Sequence, residues 1–427
     1  MKKHRAEVMV VVILWGIILL LCLLLGGGRW LFQRADNWLV SWKYQMNPPE
    51  EAVFVPGEAI AATQTSAPLA TEATATLSPE IPLVEPVNAL QSDDDLPSSV
   101  LLQGVTYTHQ HGKWNYCAPA NMTMALSYWG EVWERDAIAQ RLKPFDEDKN
   151  VSPQEMVDFV DDHTILQAVL RVGGTAEVVK QLLAAGYPVL VETGVVIRDV
   201  STGVLNWAGH YVLIVGYDDT QQQWITRDSY YSPPEYPLDY PVTYADMENE
   251  WRGFNFTFLV VFPADERDAV QQLLGNYADE VWAQQFALER ALNERDSLSG
   301  VNGFLAAYNA AENRLALGDT QGAAVDFDEA FRRYAELPSD QRPWRTLWYR
   351  PAAYEAYYRV GRYQDVISLA DTTLSITPKP YIEETWYWRG MAYAALGETN
   401  KARSDFEQAL KYHADYAPAK DALAKLP

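Results

Sequence analysis

The sequence predicts an α+β domain followed by an all-α array of helical repeats, both carried behind a single N-terminal transmembrane helix. Three observations predict it. Residues 8–25 are apolar and uncharged. Residues 101–263 show helical periodicity first and strand-like runs afterwards, an order that suits α+β folds rather than the alternation of a parallel sheet. From 264 onward the pattern is wholly helical and recurs at a repeat-length interval.

The apolar run opens after Lys2, Lys3 and Arg5 and reaches roughly the length that spans a bilayer as a helix. A cleavable leader has a shorter apolar core of about 7–15 residues. The run therefore reads as an uncleaved anchor over 8–26, with 1–7 cytoplasmic and everything after it extracytoplasmic, at the cell surface. Residues 27–99 read as a juxtamembrane segment and stalk. From 56 to 99 the chain is rich in Thr, Ala, Ser and Pro without apolar periodicity, so it cannot bury enough surface to offset its ordering entropy.

The α+β domain is expected over 100–263. A helix starts near Cys117, others cover 132–142 and 152–160, and Ser152 with Glu155 forms a capping box in front of the latter. Thr175 caps a helix over 176–185 that Gly186 stops. Strands are predicted at 187–192, 209–217, 224–228 and 255–262, the second and third joined by a short polar turn. Residues 264–300 read as a helical connector. Over 301–427, Trp386, Gly390, Tyr393, Ala402, Phe406 and Ala409 reproduce the spacing of a tetratricopeptide repeat. Gly318, Gly361 and Gly397 mark successive units, with an insertion near Pro343 and a degenerate extra unit over 269–295.

Composition excludes some functions. A net charge of −23 with pI near 4.6 argues against nucleic-acid binding. Two cysteines, one of them Cys22 inside the apolar run, exclude a disulfide framework. No cofactor and no metal site is expected.

Cys117 is the cysteine left for chemistry. At a helix N-terminus it meets unpaired N–H groups and the positive dipole end, which favour thiolate. Gln110, seven residues upstream, can fold back and donate to an oxyanion beside the sulfur. A nucleophile needs a base, and the base an orienting group. Among six histidines, His4 precedes the apolar run, His413 sits in a repeat, His163 ends a helix, and His109 and His111 flank Gln110. His210, opening an apolar strand, remains. Asp228, ending the next strand, can reach its ring N–H across an antiparallel pair.

Residues 101–263 resemble the peptidases that cut double-glycine bacteriocin leaders, a branch of the papain-like cysteine peptidases. The resemblance rests on Gln110, Cys117-Ala118-Pro119-Ala120, the Gly186-Tyr187-Pro188 strand entry, Gly209-His210-Tyr211 and Asp228. It implies a papain-like fold, with Cys117 as nucleophile, His210 as acid and base, Asp228 as orienter, and Gln110 with the Cys117 N–H as oxyanion hole. Two residues depart from the family pattern: Ala118 adds a methyl beside the nucleophile where glycine is usual, and Ser229 replaces the proline after the aspartate. The expected function is a membrane-anchored thiol hydrolase of peptide or amide bonds acting through a thioester. Its partners are a peptide or protein substrate, a protein held in the repeat groove, and the membrane through the N-terminal helix. A catalytically lapsed peptide-binding scaffold and a thiol-dependent acyltransferase are the alternatives.

Overall fold

The structure, a computed structural model, describes residues 53–57, 96–113, 115–198, 205–377 and 381–427. The anchor expected over 8–26, residues 1–7 and most of the stalk lie outside the described residues. No helix among the described residues is long and apolar enough to cross a membrane.

The first domain opens with strand β1 (Ser99–Leu101) and three helices, α1 (Cys117–Tyr128), α2 (Arg135–Leu142) and α3 (Pro153–His163). β2 (Leu166–Arg171), α4 (Ala176–Ala184), β3 (Val189–Arg198), β4 (Leu205–Asp218) and β5 (Gln223–Arg227) follow. β6 (Tyr240–Thr243), α5 (Tyr244–Trp251) and β7 (Phe258–Pro263) complete it. Local chemistry explains the helix starts. Ser152 and Glu155 cap α3 reciprocally, and the Thr175 hydroxyl accepts from Val178 N–H to start α4. The predicted start of α2 at 132 is three residues early, since Glu134 is extended and Val132 is 92% exposed. Strands β1, β2 and β6 carry no clear local signal, and cross-strand pairing makes them; helix α5 starts where the Thr243 hydroxyl accepts from Asp246 N–H, a cap that the sequence reading passed over.

The sheet runs β2-β7-β3-β4-β5-β6, with β1 on the far end of β4, and its recorded pairings are antiparallel. Its two faces bury separate cores. Tyr211, Leu213 and Val215 of β4 and Leu259 and Val261 of β7 meet Met122, Leu126, Ile138, Met156 and Val160 from α1 to α3. Val212 and Ile214, with Phe258 and Val260, meet Val178 and Leu182 of α4. Each fully buried side chain of this size contributes about 1.5–3 kcal/mol. The register of β4 against β5 shifts between Ile214 and Gly216, so Tyr217 joins the face of Val212 and Ile214 rather than that of Val215.

Helices α6 (Arg267–Leu274) and α7 (Glu280–Ser297) occupy the expected connector. Val270, Leu274, Tyr277 and Ala283 close the second core, so this stretch packs as part of the α+β domain. The repeats are three helix pairs: α8 (Gly300–Ala316) with α9 (Thr320–Glu336), α11 (Ala352–Arg359) with α12 (Tyr363–Ile376), and α13 (Glu383–Ala395) with α14 (Thr399–Tyr412). A short α10 (Thr346–Tyr349) sits at the expected insertion, and α15 (Ala417–Lys425) follows the last pair. Gly318, Gly361 and Gly397 turn each pair at φ of +85°, +80° and +78°, conformations open to glycine. At Gly390 an added Cβ would lie 2.6 Å from the Phe406 ring, so the close packing of α13 on α14 requires glycine there.

The repeats pack directly on the α+β domain. Trp207 of β4 stacks on Phe254 (5.5 Å), and Tyr349 of α10 stands edge-on to both rings. The side-chain amides of Asn255 and Asn313 exchange hydrogen bonds of 2.7 and 3.1 Å. Arg350 donates to Gly253 O at 2.8 Å and to Asn309 Oδ1 at 2.7 Å, and pairs with Glu312.

Candidate active site

Helix α1 begins at Cys117 itself, with Tyr116 as N-cap. The sulfur therefore lies among the first unpaired N–H groups of the helix, and the N–H groups of Ala118 and Tyr211 both bond to it. Strand β4 carries His210, whose carbonyl is held by the Thr193 hydroxyl at 3.0 Å. Asp228 follows the last residue of β5, and pairing of Leu213 with Arg227 brings the two strand ends together. His210 Nε2 stands 2.8 Å from Asp228 Oδ1, which also accepts from Tyr230 N–H at 2.7 Å. With Nε2 so engaged, Nδ1 is the ring nitrogen left for Cys117, with which His210 is hydrogen-bonded.

Electrostatics follow from this placement. Burial alone would push the Cys117 thiol up; the hydrogen bond and charge of His210, with the two backbone N–H groups, outweigh it and bring the thiol below its ordinary value. Burial alone would pull His210 down, but the Asp228 carboxylate and the Cys117 sulfur together lift it to about 10. Both shifts favour a thiolate–imidazolium pair at neutral pH.

Gln110 is fixed by two contacts with Ser229. Its N–H donates to Ser229 O at 3.0 Å, and its side-chain Oε1 accepts from the Ser229 hydroxyl at 2.8 Å. That leaves Nε2 as the amide's donor. Fully buried Asn121 extends the network: its Nδ2 lies 3.0 Å from Ser229 Oγ, 2.9 Å from Cys117 O and 2.7 Å from Tyr211 O. One side chain thus ties the cysteine helix, the histidine strand and the aspartate loop.

All four residues singled out in the sequence, Gln110, Cys117, His210 and Asp228, belong to this one hydrogen-bonded cluster. Three of the described histidines set aside have other partners or places. His111 bonds to Tyr230 O and is exposed, His163 ends α3, and His413 pairs with Glu383 at 2.9 Å. Ala118, the departure beside the nucleophile, is 1% exposed and packs in the core of α1 to α3, so its methyl takes no room from the surface over the sulfur.

Sequence reasoning missed Asn121, Ser229, Glu192 and Glu250. Ser229 left one signal, its departure from the family pattern. Glu192 is buried on β3, where burial lifts its carboxyl well above the carboxylate range; Arg350 opposes that and the Cys117 charge adds to it. Burial and the Asp228 charge raise Glu250 to about 7, against the opposing pull of His210. Neither has a local sequence signature. A groove of about 770 Å³ between 106–109 and 130–136, lined by His109, Trp133 and Arg135, does not include Cys117, His210 or Asp228. Among the described residues no cluster of ligands could hold a metal ion.

Residues 102–258 match the sequence model of the Peptidase C39-like family, and residues 383–416 that of the tetratricopeptide repeat. No curated protein sequence matches the chain. A crystal structure from Bacillus anthracis, described as a C39-like peptidase, is 18% identical at a TM-score of 0.31, over 38% of this chain and 96% of that one. Xylellain, a cysteine protease from Xylella fastidiosa, is 15% identical at a TM-score of 0.32, over 40% of this chain and 88% of that one. The chain joins a C39-like cysteine peptidase fold to a C-terminal tetratricopeptide region.

Proposed function

We propose that this chain is a membrane-anchored, extracytoplasmic cysteine peptidase that cleaves peptide or amide bonds through an acyl-enzyme thioester. The observation that carries the reading is His210 hydrogen-bonded on one side to Asp228 and on the other to Cys117, with both shifts favouring the ion pair. The Cys117 thiolate attacks the substrate carbonyl carbon, a C–S bond forms, and the carbonyl electrons move to oxygen. Gln110 Nε2 and the Cys117 N–H donate to that oxygen, each such donor worth about 2.7–4 kcal/mol in the transition state. The imidazolium of His210 passes its proton to the amine, and the C–N bond breaks. Neutral His210 then takes a proton from water, whose oxygen attacks the thioester and releases the thiolate. Asp228 holds the ring in one orientation throughout. No cofactor or metal enters these steps. The tetratricopeptide region supplies protein contact, and residues 8–26 supply the anchor.

The test is cleavage of an unstructured protein by the full chain in detergent, followed by mass spectrometry. Wild type should cut and Cys117→Ala should not. A thiolate that alkylates readily yet never cuts would favour the scaffold reading, and transfer to an added amine in place of water would favour the acyltransferase.

A further inference from the structure

Residues 53–57 are packed on the repeats. Phe54 is 5% exposed, its ring 5.0 Å from Phe331 of α9 in an edge contact and 6.1 Å from Tyr357 of α11. Three residues on, Gly57 N–H donates to Asp365 Oδ1 at 3.0 Å. Asp365, in the first turn of α12, is 1% exposed, and its other oxygen accepts from Arg362 Nε at 2.6 Å. Arg362 in turn donates to Asp328 at 2.7 Å, and so does the Tyr357 hydroxyl at 2.9 Å. The cleft between the first two helix pairs thus has an aromatic wall, and a carboxylate fixed by its own arginine that turns one oxygen toward an incoming N–H. The segment suits it: Pro56 presets the backbone, and Gly57 adopts φ of +78°, which a side chain would strain.

We propose that this cleft is a binding site for an aromatic-x-Pro-Gly segment that turns at its Pro-Gly, and that residues 53–57 of the same chain occupy it in cis. A buried aromatic anchor supplies most of the energy in such recognition, and a directed backbone hydrogen bond fixes the register of the segment. Lying between the proposed anchor and the peptidase domain, the segment ties the repeats to the anchor side of the chain. The occupant is therefore internal, which refines the protein-partner expectation for the repeats. This inference does not depend on catalysis, and its readout is binding.

A tethered segment competes at an effective concentration on the order of millimolar, so a free peptide should find the wild-type cleft closed. The experiment titrates a fluorescein-labelled peptide of residues 50–60 into the full chain in detergent, comparing wild type with Phe54→Ala and Gly57→Pro. Neither substitution changes a residue of the repeats themselves. Both variants should bind the peptide at least tenfold more tightly than wild type, and a peptide carrying Phe54→Ala should bind neither. Equal, weak binding to all three chains would overturn the proposal, and so would loss of folding in both variants, which would make 53–57 core rather than ligand. Concentration-dependent dimerisation of wild type that Phe54→Ala abolishes would overturn the cis assignment by placing a second copy's segment in the cleft.

Discussion

The Ser229 hydroxyl donates to Gln110 Oε1 over 2.8 Å and itself lies 3.0 Å from the donating amide of Asn121. A glutamine side chain can present either end to a neighbour, and only its NH2 end can stabilise an oxyanion. By claiming the carbonyl end, Ser229 fixes which end remains. The serine that departs from the family pattern thus has a structural purpose here.

Ser229→Ala should therefore lower kcat with little change in KM. One neutral hydrogen bond is worth about 1 kcal/mol net, so the loss should be about fivefold to tenfold. Iodoacetamide labelling of Cys117 should be unchanged, because the thiolate depends on His210. A parallel loss of labelling would place Ser229 in thiolate formation instead.

Labelling of Cys117 across pH 5 to 9 should already be fast below pH 7 in wild type and should rise only above pH 8 in His210→Ala. The same pair sets a stability slope. The folded His210 binds its proton up to about pH 10, whereas an unfolded histidine releases it near 6.5. Its contribution is thus fully present below about pH 6.5 and is lost as pH rises toward 10, at no more than about 1.4 kcal/mol per pH unit. His210→Ala should flatten urea-unfolding stability over that window. Glu250, raised to about 7 beside the same groups, gains its charge inside the window, so the comparison should be repeated in a Glu250→Gln background.

Asp228→Asn should retain some activity. The amide oxygen can still accept from His210 Nε2 and Tyr230 N–H, so ring orientation survives while the negative charge goes. A loss of about 10²-fold in kcat/KM is expected, with the alkaline limb of the pH profile moved down from about 10 toward 6.5. An unmoved limb would mean that another group holds the imidazolium.

Arg350→Ala should destabilise the chain by about 3 kcal/mol in urea unfolding, since it strands Glu312 and the Gly253 carbonyl at a buried junction. Because Trp207 and Phe254 belong to the same apolar cluster as the repeat helices, wild type should unfold in one transition. Two separated transitions would show the domains to be energetically independent.

Deleting residues 1–52 should give a chain that needs no detergent while keeping Phe54 in place. Continued detergent dependence would argue against the anchor.

Much was legible from local signals. Helix periodicity, the Ser152 and Thr175 caps and the repeat spacing around Gly390 are short-range patterns, and each element they predict is present. The site was legible because Cys117 opens a helix, and because two consecutive strands joined by a short turn must run antiparallel, placing His210 near Asp228. Strands β1 and β2 were not legible, because their partners are distant in the chain. Asn121, Ser229, Glu192 and Arg350 gain meaning only once α1, β3, β4 and the repeats converge. The sequence by itself determined which groups are present and which local elements carry them. Tertiary structure alone decided the burial that sets the charges of Cys117, His210 and Glu192, the end of Gln110 that is left free, and the seating of Phe54 between two repeats. Burial and hydrogen-bond partnership are properties of surfaces brought together, and no local stretch of chain encodes them.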